Sequence, residues 1–257
     1  MAESPGFVQI RKFIAIRLPA TNIERVFLSM RIQIARVALF AALVPACVFL
    51  FSAEEKFKTL FDGKSLEGWV QHGGKATYKI EKGVIVGTAV PDTPNSFLCT
   101  RKHYGDFILE LEFKVDSMLN SGVQIRSHVY EKDTTIQIRG KKRKKKAGTV
   151  YGYQVEIDPS ARAYSGGVYD EARRGWLNDL KDNEAARKAF KQGEWNSFRI
   201  ICKGDSIRTW INGVAAADFK DSMTAKGFIA LQVHGVGKRK DRVGKQVRWR
   251  NIRIAEL

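Results

Sequence analysis

The stretch FILELEFKVD, Phe107 to Asp116, decides how this chain folds. Phe107, Leu109, Leu111, Phe113 and Val115 fall on one side and Glu110, Glu112 and Lys114 on the other, the period of two of an extended strand with one buried face. Outward from it the signature recurs. ATYKIEKGVIVGTA (76–89) reads as two short strands around Lys82-Gly83, and SGVQIRSHV (121–129), YGYQVEID (151–158), NSFRIICKGDSIRTWINGV (196–214), GFIALQVHG (227–235) and QVRWRNIRIAEL (246–257) continue the pattern between turn signals. Helical periodicity is nearly absent, the exception being NDLKDNEAARKAF (178–190), a short polar helix capped by Asn178 or Asp179. No repeat and no Pro/Gly/Ser-rich linker divides these strands, so the expectation is one all-β domain over 54–257, a sandwich of two antiparallel sheets.

The first 53 residues read differently. Arg31 and Arg36 precede an apolar run from Val37 to Ala53, followed by two glutamates, the layout of a secretory signal. The expected cut is near Ser52 or Ala53, with an uncleaved membrane anchor as the alternative and residues 1–29 as a mis-set translation start. The expected location is therefore exported, periplasmic or in the cell envelope. Of the 257 residues and net charge of +17, removing the leader leaves about +13. Much of the excess sits in GKKRKKKAG (140–148), where Lys141 to Lys146 are six adjacent cations. Such a run is a solvated flexible loop or a docking site for an anionic polymer or membrane. It lacks the interleaved aromatics of a nucleic-acid platform, so no specific nucleic-acid partner is expected. Cys99 and Cys202 are buried free thiols or an exported disulfide.

Alternation also sorts the polar residues. With Val123 and Ile125 inward, Gln124 and Arg126 face out; with Tyr153, Val155 and Ile157 inward, so do Gln154, Glu156 and Asp158; with Ile229, Leu231 and Val233 inward, so do Gln232 and His234. If these strands share a sheet, its outer face carries two acids, an imidazole, a guanidinium and three amides, a site for a hydroxyl-rich molecule. Gly166-Gly167 permits a tight loop from which Tyr169 and Asp170 can close over a sugar. Among the tryptophans, Trp176 lies in a polar tract and suits a groove, whereas Trp69 and Trp210 suit packing. Asn120 and Ser121 shape the NSG turn.

LFDGKSLEGW (60–69), GDFILELEFKV, NSGVQIRS, GYQVEID, SGGVYD, GEWNSFRIICKGDSIRTWINGV and the closing GFIALQVHG and VRWRNIRIAEL together resemble the 3-keto-disaccharide hydrolase family from about Phe57 to Leu257. The resemblance implies a concanavalin-like jelly-roll sandwich, export, and cleavage of sugars that carry a ketone at carbon 3. The polybasic run and RRGWLNDL (173–180) depart from the family's pattern.

A ketone at carbon 3 acidifies the proton on carbon 2, so a base can remove it and expel the carbon 1 substituent before water adds back. That route needs a base, an acid and a group for the enolate. Glu156 and His234 supply the acid/base pair in either order, and Arg126 the enolate partner. Gln124, Gln154, Asp158, Tyr169, Asp170, Trp176 and Gln232 are the substrate-binding candidates. Alternatively, Glu156, Asp158 and His234 hold one divalent metal ion that polarises the ketone. The rival function is a non-catalytic carbohydrate-binding module, since a sandwich fold does not fix function.

Overall fold

The computed structural model describes residues 56–138 and 140–257; the expected signal segment lies outside them. The central strand of one sheet is the opening stretch, β6 (Phe107–Val115), buried at every odd position. Around it the described residues build an eight-stranded antiparallel sheet. Its order is β15 (Val214–Lys220), β14 (Ser206–Ile211), β13 (Asn196–Lys203), β6, β17 (Gln246–Glu256), β4 (Val84–Thr88) and β3 (Thr77–Glu81), with β1 (Lys58–Thr59) added beside β17. The seven-stranded sheet runs β12 (Gly175–Asn178), β11 (Val168–Glu171), β10 (Val150–Ile157), β7 (Ser121–Val129), β16 (Phe228–Val233), β5 (Ser96–Thr100) and β2 (Trp69–Gly73). The inner faces meet in one core that includes Phe107, Phe113, Ile125, Tyr153, Ile157, Phe198, Leu231 and Trp249. The two-sheet sandwich expected from alternation is the fold observed.

Two local readings are corrected, and of the two readings of the cysteines the buried free thiols hold. The helix is shorter: α1 spans Glu184–Ala189, and Asn183 caps it by accepting from the Ala186 amide at 3.1 Å, whereas residues 175–178 are strand β12. The polybasic run is an ordered strand, not a loop: β9 (Lys141–Lys145) pairs with β8 (Thr134–Ile138) in a hairpin that prolongs β7 and β10. Both cysteines are free and buried; Cys99 lies in a small apolar cluster with Phe97 and Phe228, Cys202 in the main core, which excludes a bond between them. Burial raises both thiols, that of Cys202 to about 12, so neither is a nucleophile. Trp69 is buried, with its indole N–H bonded to Leu60 O.

Candidate functional site

β10 and β7 run in register on the seven-stranded sheet, with Gln154 opposite Gln124 and Glu156 opposite Gly122; Gly122 in turn pairs with Gln232 of β16. The expected inward and outward phases of β10 hold. Gly122 is required here: a Cβ at that position would lie 2.5 Å from the side chain of Gln154, which occupies the depression the glycine leaves. An amide relay follows. Ser127 Oγ donates to Gln124 Oε1 at 2.7 Å, Gln124 Nε2 to Gln154 Oε1 at 2.8 Å, and Gln154 Nε2 to Glu156 Oε2 at 2.8 Å. Asn120 Nδ2 donates to the other carboxylate oxygen at 2.6 Å. The NSG turn thus supplies a direct partner for Glu156, a role its turn chemistry alone does not announce.

Glu156 is only 5% exposed. Burial raises its pKa to about 7; the donors Asn120 and Gln154 pull it down, and the charges of Asp158 and Glu171 add to the rise. It therefore exchanges a proton near neutrality. Two strand spacings away, about 10 Å between backbones, His234 follows β16. Its Nδ1 lies 2.8 Å from Gly235 O, and because a carbonyl only accepts, Nδ1 carries the proton and Nε2 keeps a lone pair. Burial lowers its pKa, with Arg239 and Arg242 adding to the effect and the Gly235 bond opposing it, so the ring is neutral at pH 7.

Glu156 and His234 line a single open cleft of about 1210 Å³, together with Gln154, Asp158, Tyr169 and Trp176. With Asp170, also in its wall, seven of the residues expected at the site are thus brought together. Trp176 packs edge-on against Tyr164 and Tyr169, each at 5.3 Å between centroids, and the Arg162 guanidinium covers it at 5.3 Å. Asp158 is a turn anchor on the rim: it accepts from Arg162 Nε at 2.8 Å and from the Ser160 and Tyr164 amides. Burial raises its pKa, but Arg162 and Ser160 outweigh that and leave it lowered.

Arg126, Gln124 and Gln232 lie elsewhere, and Asp170, though part of the cleft wall, is committed to its own arginines. Arg126 has φ of +46° at a bulge, where the β7 registers with β10 and β16 both shift. The bulge nests against glycine; a Cβ on Gly152 would lie 2.3 Å from Ser127 Oγ. The extra residue turns Arg126 away from the cleft into full burial, where it donates to Gly105 O, Gly204 O and Asp106 Oδ1 at 2.8, 2.8 and 2.9 Å. It fastens the loop before β6 to the β13–β14 turn and is not an enolate partner. Asp170 is in register with inward-facing Tyr153 and fully buried, accepting from Arg173 Nε and Arg174 Nε at 2.8 and 2.5 Å. It is saturated and offers a sugar nothing. Gln124 is buried beneath Gln154 as a positioning group. Gln232 is also fully buried, and neither of its amide atoms has a hydrogen-bond partner among the described residues.

Glu171 and Arg242 went unforeseen. Glu171 alternates with Tyr169 on β11 and accepts from Asn95 at 3.4 Å; burial raises its pKa to about 7, against the opposing pull of Lys145 and Asn95. The i, i+2 spacing in VYDE was its signal. Arg242 lines the cleft beside His234 from a single 3-10 turn, its buried Nε without a hydrogen bond and 4.0 Å from the neighbouring Asp241 carboxylate. No periodic pattern marks that loop.

The donors do not fit a divalent metal. Both oxygens of Glu156 are engaged by amide N–H groups and Asp158 is held by Arg162. Among the described residues no three His, Cys, Asp or Glu side chains gather as a ligand set.

Among solved structures, a Parabacteroides distasonis ATCC 8503 protein provisionally named a glycosyl hydrolase aligns with a TM-score of 0.53 and 22% identity, over 81% of this chain and 98% of that one. A Bacillus subtilis protein of unknown function with a galectin-like fold aligns with a TM-score of 0.51 and 11% identity, over 78% of this chain and 94% of that one. Both share the sandwich fold. No curated protein matches the chain. The family model described as 3-keto-alpha-glucoside-1,2-lyase-like domain matches residues 56–255, and the chain belongs to that family.

Proposed function

We propose that this protein cleaves the glycosidic bond of 3-keto-glycosides by elimination and hydration. Family membership makes the chain carbohydrate-related, and the observation that carries the catalytic reading is the pairing of opposite proton habits in one cleft. Glu156 holds a proton near neutral pH because it is buried, while His234 stays neutral with Nε2 free to accept. This pairing supports His234 as the base and Glu156 as the acid, the order that alternation left open.

His234 Nε2 removes the proton from carbon 2, and the electron pair moves into the enolate of the carbon 3 ketone. The carbon 1–oxygen bond breaks as the enolate collapses, and Glu156 protonates the departing oxygen. Water then adds at carbon 1 of the enone, carbon 2 regains its proton from the imidazolium, and Glu156 recovers a proton from that water. Arg242, next to His234 and with a buried Nε that makes no hydrogen bond and only a long 4.0 Å ion pair to Asp241, takes the enolate-stabilising role that Arg126 cannot fill. Trp176 offers its ring to the sugar and Gln154 holds Glu156 in place. The expected leader supports a site of action outside the cytoplasm.

The aromatic cluster of Tyr164, Tyr169 and Trp176 also suits a module that only binds sugar. Incubation with a 3-keto-disaccharide and with its unoxidised parent separates the readings. Monosaccharide release from the keto sugar alone supports the enzyme; saturable binding without release supports the module.

A further inference from the structure

The β8–β9 hairpin has two unlike faces. Thr134, Ile136 and Ile138 are half-buried, and across the hairpin they pair with Lys145, Arg143 and Lys141. Thr135 and Gln137, paired with Lys144 and Lys142, are exposed. The first face is turned to the cleft: Ile138, Lys141, Arg143 and Lys145 are all part of its wall, and Lys142 and Lys144 are not. A strand's period of two therefore divides the polybasic run into an inner row and an outer row.

The inner row makes no close ion pair, although the charge of Lys145 is felt by Glu171 across the cleft wall. Lys146, next in the chain, pairs with Asp133 at 2.7 Å, but no carboxylate lies within 4 Å of Lys141, Arg143 or Lys145 among the described residues. Seven cationic side chains line the cleft against four carboxylates, of which Asp158 and Asp170 are already bound by Arg162, Arg173 and Arg174. A concave wall of one sign focuses its field on whatever enters.

We infer that the sugar taken by this cleft is anionic, and that Lys141, Arg143 and Lys145 form a subsite for a carboxylate or sulfate group on it. This deepens the reading of the cleft as a sugar site and rests on it. A flexible cation row reaching down a strand suits an exocyclic charge on a ring neighbouring the cleaved one, with the Ile136 and Ile138 side supporting the ring's apolar surface.

The test is calorimetric binding to the purified chain of three unoxidised disaccharides: a neutral one, its counterpart ending in a uronic acid, and its 6-sulfate. In low salt, about 20 mM, either or both anionic sugars should bind roughly tenfold or more tightly than the neutral one, and which of them does so identifies the anion. The preference should shrink with added salt and fall to about parity in Lys141→Gln/Arg143→Gln/Lys145→Gln. Lys142→Gln/Lys144→Gln, which removes charge from the outer row of the same hairpin, should keep it. Equal affinity for all three sugars, or no binding of any, overturns the inference. A preference lost equally from both variants does so too, because it would reveal only a diffuse polyanion-binding patch. Because binding needs no turnover, an intact anionic preference without keto-sugar cleavage would sink the catalytic reading alone, and cleavage with no preference would sink the subsite alone.

Discussion

Glu156 is both the acid of the proposed reaction and a liability for folding. Its folded pKa, about 7, stands above the ordinary 4.5, so the fold favours its protonated form. That contribution is complete below pH 4.5 and is lost as the pH rises through 7. Glu156→Gln should therefore be more stable than the parent at pH 8 by roughly 3 kcal/mol, with the gain gone by pH 4, as read by urea denaturation. The same variant should lose about 10²- to 10⁴-fold in kcat. Since His234 must be neutral and Glu156 protonated, kcat/KM should describe a bell. Its acid limb belongs to His234, below the ordinary 6.5, and its alkaline limb to Glu156 near 7. Arg126 makes the opposite case. Arg126→Gln should cost about 3 kcal/mol by removing the fully buried guanidinium and its bonds to Gly105, Gly204 and Asp106, while turnover per folded molecule stays at the parent level. A loss of turnover at unchanged stability would return Arg126 to the site.

At the scale of strands, the geometry that holds Glu156 depends on the missing side chain at Gly122. Gly122→Ala should push Gln154 out of its depression, cost about 1–3 kcal/mol through overpacking, and remove one donor from Glu156. The alkaline limb of the pH profile should then move upward, which pH–rate measurements would show. Strand faces were legible in the sequence because period-two alternation states them directly, and Gln154, Glu156, Asp158 and His234 all lie on the face it predicts. The bulge that redirects Arg126 was not, because its cause is an unpaired residue at positive φ accommodated by glycine in a neighbouring strand, a relation across the sheet rather than along the chain. Asp170 failed for a related reason: VYD reads as loop until its pairing with β10 puts Asp170 inside. The hairpin hid behind composition, since six cations in a row look solvated unless the opposite strand supplies Ile136 and Ile138.

Taken together, the described residues form a two-sheet support with the candidate chemistry on the outer face of one sheet, where an open cleft meets a cationic hairpin. Because the carboxylates of Glu156 and Asp158 are committed to separate hydrogen bonds, leaving His234 Nε2 without companion ligands, activity should survive a chelator undiminished, and a loss restored by a divalent ion would show that the ligand set assembles on binding. The central claim is the division of labour between His234 as base and Glu156 as acid. It is tested most directly by incubating a 3-keto-glycoside in D₂O and reading deuterium at carbon 2 of the recovered substrate. The account predicts that Glu156→Gln, which still removes the proton but cannot release the leaving group, washes deuterium into uncleaved sugar, and that His234→Ala does not. Exchange that persists in His234→Ala and vanishes in Glu156→Gln would contradict it and make Glu156 the base.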